Sequence, residues 1–191
     1  MLLAINIKNI SKNYCIIIYF SKKYQNDSYF HESKGKFAVE TLDETDIRLL
    51  QLLQSNARLT SKELSVYLNL SLSPIYERIR RLEKMGIIQS YITLLDREKL
   101  GFDLVAYCHV SLKEHARPLL KKFEEDVLHF PEVLECQHVT GNFDYMLKVC
   151  VKDMKSYQDF IVNKLASLAN IGNAQSQFVL STIRESTALP L

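Results

Sequence analysis

Two rhythms divide the chain. Between Leu42 and Gly86 apolar residues recur at intervals of three and four, the spacing of helices buried along one stripe. Beyond Leu104 they come in short alternating runs separated by longer helical patterns. Three helix starts follow from local chemistry. Asp43 is a candidate N-cap with Asp46 at N3, and Leu42 can staple to Ile47. Thr60 and Glu63 spell a T-x-x-E capping box, with Leu59 and Leu64 as the staple. Ser71 caps the third start, where Pro74 falls in the first turn and breaks no intrahelical bond. The expected helices run over 44–54, 61–68 and 72–85, the last closed by Gly86. Only Asn69, Leu70 and Ser71 separate the second helix from the third, so the two must cross sharply, as in a helix-turn-helix.

Residues 87–95 are rich in Ile, Tyr, Thr and Leu and read as an extended strand, with a boundary at 96–101. The pattern then predicts strand 104–112, helix 115–129, strands 133–140 and 145–151, helix 154–167 and strand 175–183. That βαββαβ order is the ferredoxin-like unit, and the fold class expected is α+β. On the first strand Leu104, Ala106, Cys108, Val110 and Leu112 alternate with Val105, Tyr107, His109 and Ser111, so both faces are partly apolar. One helix layer covers one face; a second sheet from a two-fold-related copy is expected on the other, hence a homodimer. Residues 1–40 show neither period and are rich in Lys, Asn, Ile and Tyr. They read as upstream sequence joined to a chain that begins near Glu40, or as a poorly ordered arm. The domains expected are thus 41–86, a linker strand over 87–101, 102–185, and a tail over 186–191.

Composition narrows the function. A chain of 191 residues with formal charge +2 does not announce a nucleic-acid binder by charge alone. Residues 101–191 carry nine basic and eleven acidic side chains, so the C-terminal part is slightly acidic. Cys15, Cys108, Cys136 and Cys150 lie far apart, and the last three sit in apolar runs; they read as reduced core thiols of a cytoplasmic protein, with no metal site. The early apolar run from Cys15 to Phe20 is far short of the ~20 residues that span a bilayer. Neither a membrane partner nor export is expected.

On the third helix Ile75, Ile79 and Leu82 form the buried stripe. The opposite face holds Ser73, Glu77, Arg80 and Lys84, flanked by Tyr76 and Arg81. Arginine can pair bidentately with guanine, while serine and lysine can hold phosphates. Ser61 and Ser71, at two helix starts, and Arg78 complete the set of DNA-contact candidates. The competing reading is that Arg78, Arg80, Arg81 and Lys84 merely solvate an amphipathic helix. The short turn, the capped starts and the basic second helix of the pair favour double-stranded DNA as partner.

A second candidate site is the turn of Thr140, Gly141, Asn142, Phe143 and Asp144. Gly141 and Asn142 suit positive-φ positions of a plain hairpin loop. Thr140, backbone N–H groups and an acid beside an intersubunit crevice could instead hold a small amino acid. His31, His109, His115, His129 and His138 lack metal-ligand spacing and read as satisfied structural histidines. G-x-S-x-G, Walker and G-x-G-x-x-G patterns are absent, and no catalytic residue or cofactor is expected.

Leu42-Asp43-Glu44-Thr45-Asp46-Ile47, Asn56-Ala57-Arg58, Glu63-Leu64, Leu70-Ser71-Leu72-Ser73-Pro74, and the run from Arg78 to Ile88 fall in the order and spacing of one family. With Val139-Thr140-Gly141-Asn142-Phe143-Asp144, the chain resembles the leucine-responsive regulatory protein/AsnC family over residues 41–185. The resemblance implies a winged-helix reader, a linker strand, and an α/β domain that dimerises through its sheets and assembles into octamers or related rings. It implies an amino-acid effector bound between dimers near the turn, where Asn142 stands in place of the acid often found. It also implies that Ser73, Tyr76, Glu77, Arg80 and Arg81 face DNA. The expected mechanism is a transcription regulator whose occupancy shifts with effector-dependent assembly. Two other classes compete: a haem-precursor decarboxylase of similar fold, and a stand-alone amino-acid-binding module. Both are disfavoured by the basic helix.

Overall fold

The computed structural model describes residues 42–191, and the expectations for residues 1–40, including Cys15 and His31, lie outside it. Three helices open the described chain: α1 (Glu44–Ser55), α2 (Ser61–Leu68) and α3 (Leu72–Lys84). The α2 capping box forms as read, the Thr60 hydroxyl accepting from Glu63 N–H and the Glu63 carboxylate accepting from Thr60 N–H. Asn69 ends α2 in the left-handed region at φ 53°, and Gly86 follows α3 at φ 71°. Ser71 occupies the N-cap of α3 but makes no side-chain capping bond. The reason is local: N3 is Pro74, which has no N–H to give. Leu49, Leu50, Leu64, Ile75 and Leu82 are the buried apolar residues of the three helices.

The expected linker strand is not formed. Residues 89–95 pair with no strand of the described sheet, and Tyr91, Ile92, Leu94 and Leu95 are exposed. An extended segment becomes a ladder strand only when another edge bonds to it, and none of this chain's described strands lies alongside.

The second part consists of β1 (Leu104–Leu112), α4 (Arg117–Val127), β2 (Val133–His138), β3 (Tyr145–Val151), α5 (Met154–Asp159) and β4 (Ile171–Phe178). All three pairings in the sheet are antiparallel and the order is β2-β3-β1-β4, the ferredoxin-like arrangement. After Asp159 the helix continues as a π turn over Phe160–Lys164 and a 3₁₀ turn over Leu165–Ser167. Ala106, Cys108, Val110 and Leu112 of β1 and Tyr145, Leu147, Val149 and Val151 of β3 bury one face against Leu120, Phe123 and Val127 of α4 and Tyr157, Phe160 and Leu165. Tyr157 also donates to Ser176 Oγ at 2.6 Å, and burial pushes its phenol up to about 12.

Two expectations change here. The last strand begins four residues earlier than the expected 175–183 and ends five earlier, at Phe178, because Ile171 pairs with Leu112 and Phe178 with Ala106 across a bulge at Ser111/Leu112. In the missed first half, Gly172 and Asn173 do not advertise a strand; the neighbour's free edge decides the pairing. Cys136 is exposed, unlike buried Cys108 and Cys150, because β2 is an edge strand without helix cover. The expected tail is tied down at 186–191: Gln54 on α1 exchanges hydrogen bonds with the Leu189 backbone at 2.6 and 3.3 Å, and Gln51 donates to Leu191 O at 2.7 Å.

Candidate functional site

The third helix presents the side chains singled out from sequence on two different faces. At about 100° per residue, Ser73, Glu77, Arg80 and Lys84 lie within about 40° of the direction opposite the core stripe. All four are exposed, and Tyr76 beside them is 63% exposed. Ser71 is exposed at the start of the same helix, while Ser61 at the start of α2 is half-buried.

Arg78 and Arg81 behave differently. On the same wheel Arg78 falls about 60° from the direction of Ile75 and Arg81 about 120° from it, along one flank of the helix. Both side chains run back to α1. Arg78 Nη1 donates to Asp46 Oδ1 at 2.6 Å and Arg81 Nη2 donates to Asp46 Oδ2 at 2.5 Å. Asp46 is wholly buried, whereas the side chains of Arg78 and Arg81 retain 25% and 38% exposure. The tie of these two arginines to α1 was not read from the sequence: a buried carboxylate needs cationic partners, and these lie within reach. Sequence reasoning treated Asp46 only as an N3 residue of the first helix; the signal available was a carboxylate one position before the apolar Ile47 and three before the buried Leu49.

The second candidate site lies at one end of the sheet, where β1 leaves and β3 enters. Gly141 has φ 120°, a conformation that favours glycine, whereas Asn142, also expected at positive φ, does not adopt it; Thr140, Gly141 and Asn142 are exposed. Phe143 turns in and its ring lies 5.1 Å from that of His109. Asp144, expected to face a ligand, is 7% exposed and engaged within the chain. Its Oδ2 accepts from Leu112 N–H at 2.8 Å and its Oδ1 lies 2.8 Å from His115 Nε2. The Asp144 backbone adds two bonds, N–H to Val110 O and C=O from Val139 N–H, both 2.9 Å. The carboxylate thus ties the end of β1, the following loop and the turn together. His115, read only as a structural histidine, is its partner.

Tyr145, next along β3, donates to Glu124 Oε1 at 2.8 Å, and burial followed by that carboxylate drives its phenol well above its ordinary range. The Glu63 carboxyl is held below its ordinary value of 4.5 by the Thr60 N–H and hydroxyl. Among the described residues no helix is long and apolar enough to cross a membrane.

A helix pair joined by a three-residue turn, with Arg80 and Lys84 on its exposed face, followed by a ferredoxin-like domain with a glycine-containing turn at one sheet end, defines the class: a helix-turn-helix regulator with an attached sensing domain. Comparison with known proteins agrees. Residues 42–89 match the winged helix-turn-helix DNA-binding family model, and residues 105–189 match the Lrp/AsnC ligand binding domain. The Bkd operon transcriptional regulator of Pseudomonas aeruginosa is 37% identical over 150 residues, spanning 78% of this chain and 98% of that protein. The leucine-responsive regulatory protein of Rhizobium meliloti is 33% identical over 144 residues, 75% of this chain and 92% of its own. Among solved structures, a transcriptional regulator from Neisseria meningitidis in complex with L-methionine superposes with a TM-score of 0.76 at 41% identity, covering 78% of this chain and 97% of that one. The chain belongs to the Lrp/AsnC family of transcriptional regulators. It is a DNA-binding transcription regulator of α+β architecture.

Proposed function

We propose that the protein reads a pseudo-palindromic DNA site in the cytoplasm as a homodimer, through Ser73, Tyr76, Glu77, Arg80 and Lys84 of α3, with Ser61 and Ser71 on the phosphate backbone. The observation that carries this reading is the exposed row on α3 opposite its buried stripe. Arg80 is the residue suited to a bidentate contact with guanine, and Lys84 one turn on is suited to a phosphate. The half-buried sheet face of Tyr107, His109, Ser111, Met146 and Lys148 supports dimerisation sheet to sheet, with octamers or similar rings above it.

An amino acid is the effector, held at the turn of Thr140, Gly141, Asn142 and Phe143. Asp144 shapes the turn through Leu112 and His115. The methionine complex of the Neisseria relative supports this ligand class. A ligand that favours one assembly over another shifts DNA occupancy by its difference in affinity, and one that binds all assemblies equally shifts nothing.

The test is selection of bound fragments from a random duplex pool at near-physiological salt, with wild type and Arg80→Ala in parallel. A two-fold-symmetric site enriched by wild type and relaxed in the variant is the expected result. Unchanged selectivity in Arg80→Ala removes that residue from base reading.

A further inference from the structure

The Asp46 clamp goes further than holding two helices together. A carboxylate with no exposure is expensive to keep charged unless each oxygen is satisfied. Here one guanidinium reaches each oxygen, at 2.6 and 2.5 Å, and both come from the helix that carries the DNA-facing row. The two arginines are three residues apart, about 4.5 Å along the α3 axis. Converging on one buried carboxylate, they hold one flank of α3 against α1 and so fix the rotation of α3 about its own axis. The rotation matters because the tips of reading side chains stand about 5–6 Å from a helix axis, so a turn of 10° moves them by about 1 Å. Hydrogen bonds to base edges do not survive such a shift.

The clamp also withdraws charge. Of the four basic side chains on α3, Arg78 and Arg81 spend a donor inward, leaving Arg80 and Lys84 on the exposed face. We propose that Asp46 is a positioning residue for DNA reading: it orients α3 through Arg78 and Arg81 and holds those two guanidiniums off the phosphate backbone. This rests on α3 being the reading helix.

The experiment measures binding by fluorescence anisotropy on the selected site and on a scrambled duplex across a salt series. It compares the full chain as wild type, Asp46→Asn, Arg81→Met and Arg80→Ala, each checked by circular dichroism. Each released phosphate contact changes the log–log salt slope by about 0.9. In Asp46→Asn the released Arg81 guanidinium is expected to steepen the slope on scrambled DNA by about 0.9 per protomer. Site preference should fall about tenfold, the worth of one well-placed bidentate contact. A residue that only held the fold together would not steepen that slope.

Arg81→Met keeps Asp46 paired with Arg78, which preserves folding should Asp46→Asn unfold. Its salt slope is expected to match wild type while its site preference drops. A slope flattened by about 0.9 per protomer in Arg81→Met overturns the proposal, because the arginine is then on a phosphate. Folded Asp46→Asn with wild-type slope and preference overturns it equally. If wild type selects no site from the random pool, the assignment of α3 as reader fails first and the proposal falls with it.

Discussion

Replacing Asp144 with alanine tests how the turn is held. The side chain offers one oxygen to the Leu112 N–H, a donor in a residue only 5% exposed, and the other to His115, whose side chain is 35% exposed. Orphaning a buried N–H costs about 1–3 kcal/mol, and the bond lost was to a charged acceptor, which places it toward the upper end. The His115 contact is more open and contributes under about 1 kcal/mol. Asp144→Ala is therefore expected to destabilise the C-terminal domain by about 3 kcal/mol. With a urea slope of about 1.5 kcal/mol per molar, the midpoint falls by about 2 M.

Asp144→Asn keeps the geometry, its amide oxygen accepting from Leu112 and its nitrogen donating to His115, and loses only the charge assistance; about 1 kcal/mol is expected. The chain has no tryptophan, so the transition is followed by tyrosine emission and far-ultraviolet circular dichroism. A midpoint for Asp144→Ala within about 0.3 M of wild type, or below no more than that of His115→Ala, refutes the reasoning. The same pair of variants separates two roles at the effector turn. If Asp144 shapes the turn, Asp144→Asn retains the response to amino acids; if its charge held the ligand's ammonium, the response would vanish with little loss of stability.

The Glu63 carboxyl is depressed below 4.5 in the folded protein, so its contribution is complete above that value and lost as pH falls through the folded pKa. Glu63→Ala should lower the helix-turn-helix melting temperature at pH 7, and the difference from wild type should close in a melting series carried below pH 4.5; a difference that persists undiminished there excludes the capping carboxylate. Phe160, wholly buried at the π turn, should cost about 3–5 kcal/mol as Phe160→Ala in urea titration, and a cost under about 1 kcal/mol would show that the irregular turn collapses into the space.

Legibility in the sequence followed the range of the interaction. Helix α2 has the bounds read from Thr60 and Glu63, because a capping box closes within four residues of chain. Strands β1 and β3 also have the bounds read, since each carries its own alternating apolar row into a helix-covered core. The Thr140–Gly141 turn was legible for the same reason: only glycine is at ease at φ 120°.

What stayed hidden lies across the chain. The start of β4 depends on the register of β1 some sixty residues earlier, and Gly172 and Asn173 carry no strand pattern of their own. The destination of Arg78 and Arg81 depends on a carboxylate 32 and 35 residues away, and that of Asp144 on Leu112 and His115. The amino-acid sequence by itself determined the three N-terminal helices, the order of strands and helices after them and the family, because caps, periodicity and turn chemistry act between near neighbours. Only the tertiary structure decided which charged groups on α3 remain for DNA and which carboxylates hold the scaffold, because burial of a charge selects its partner by distance in space.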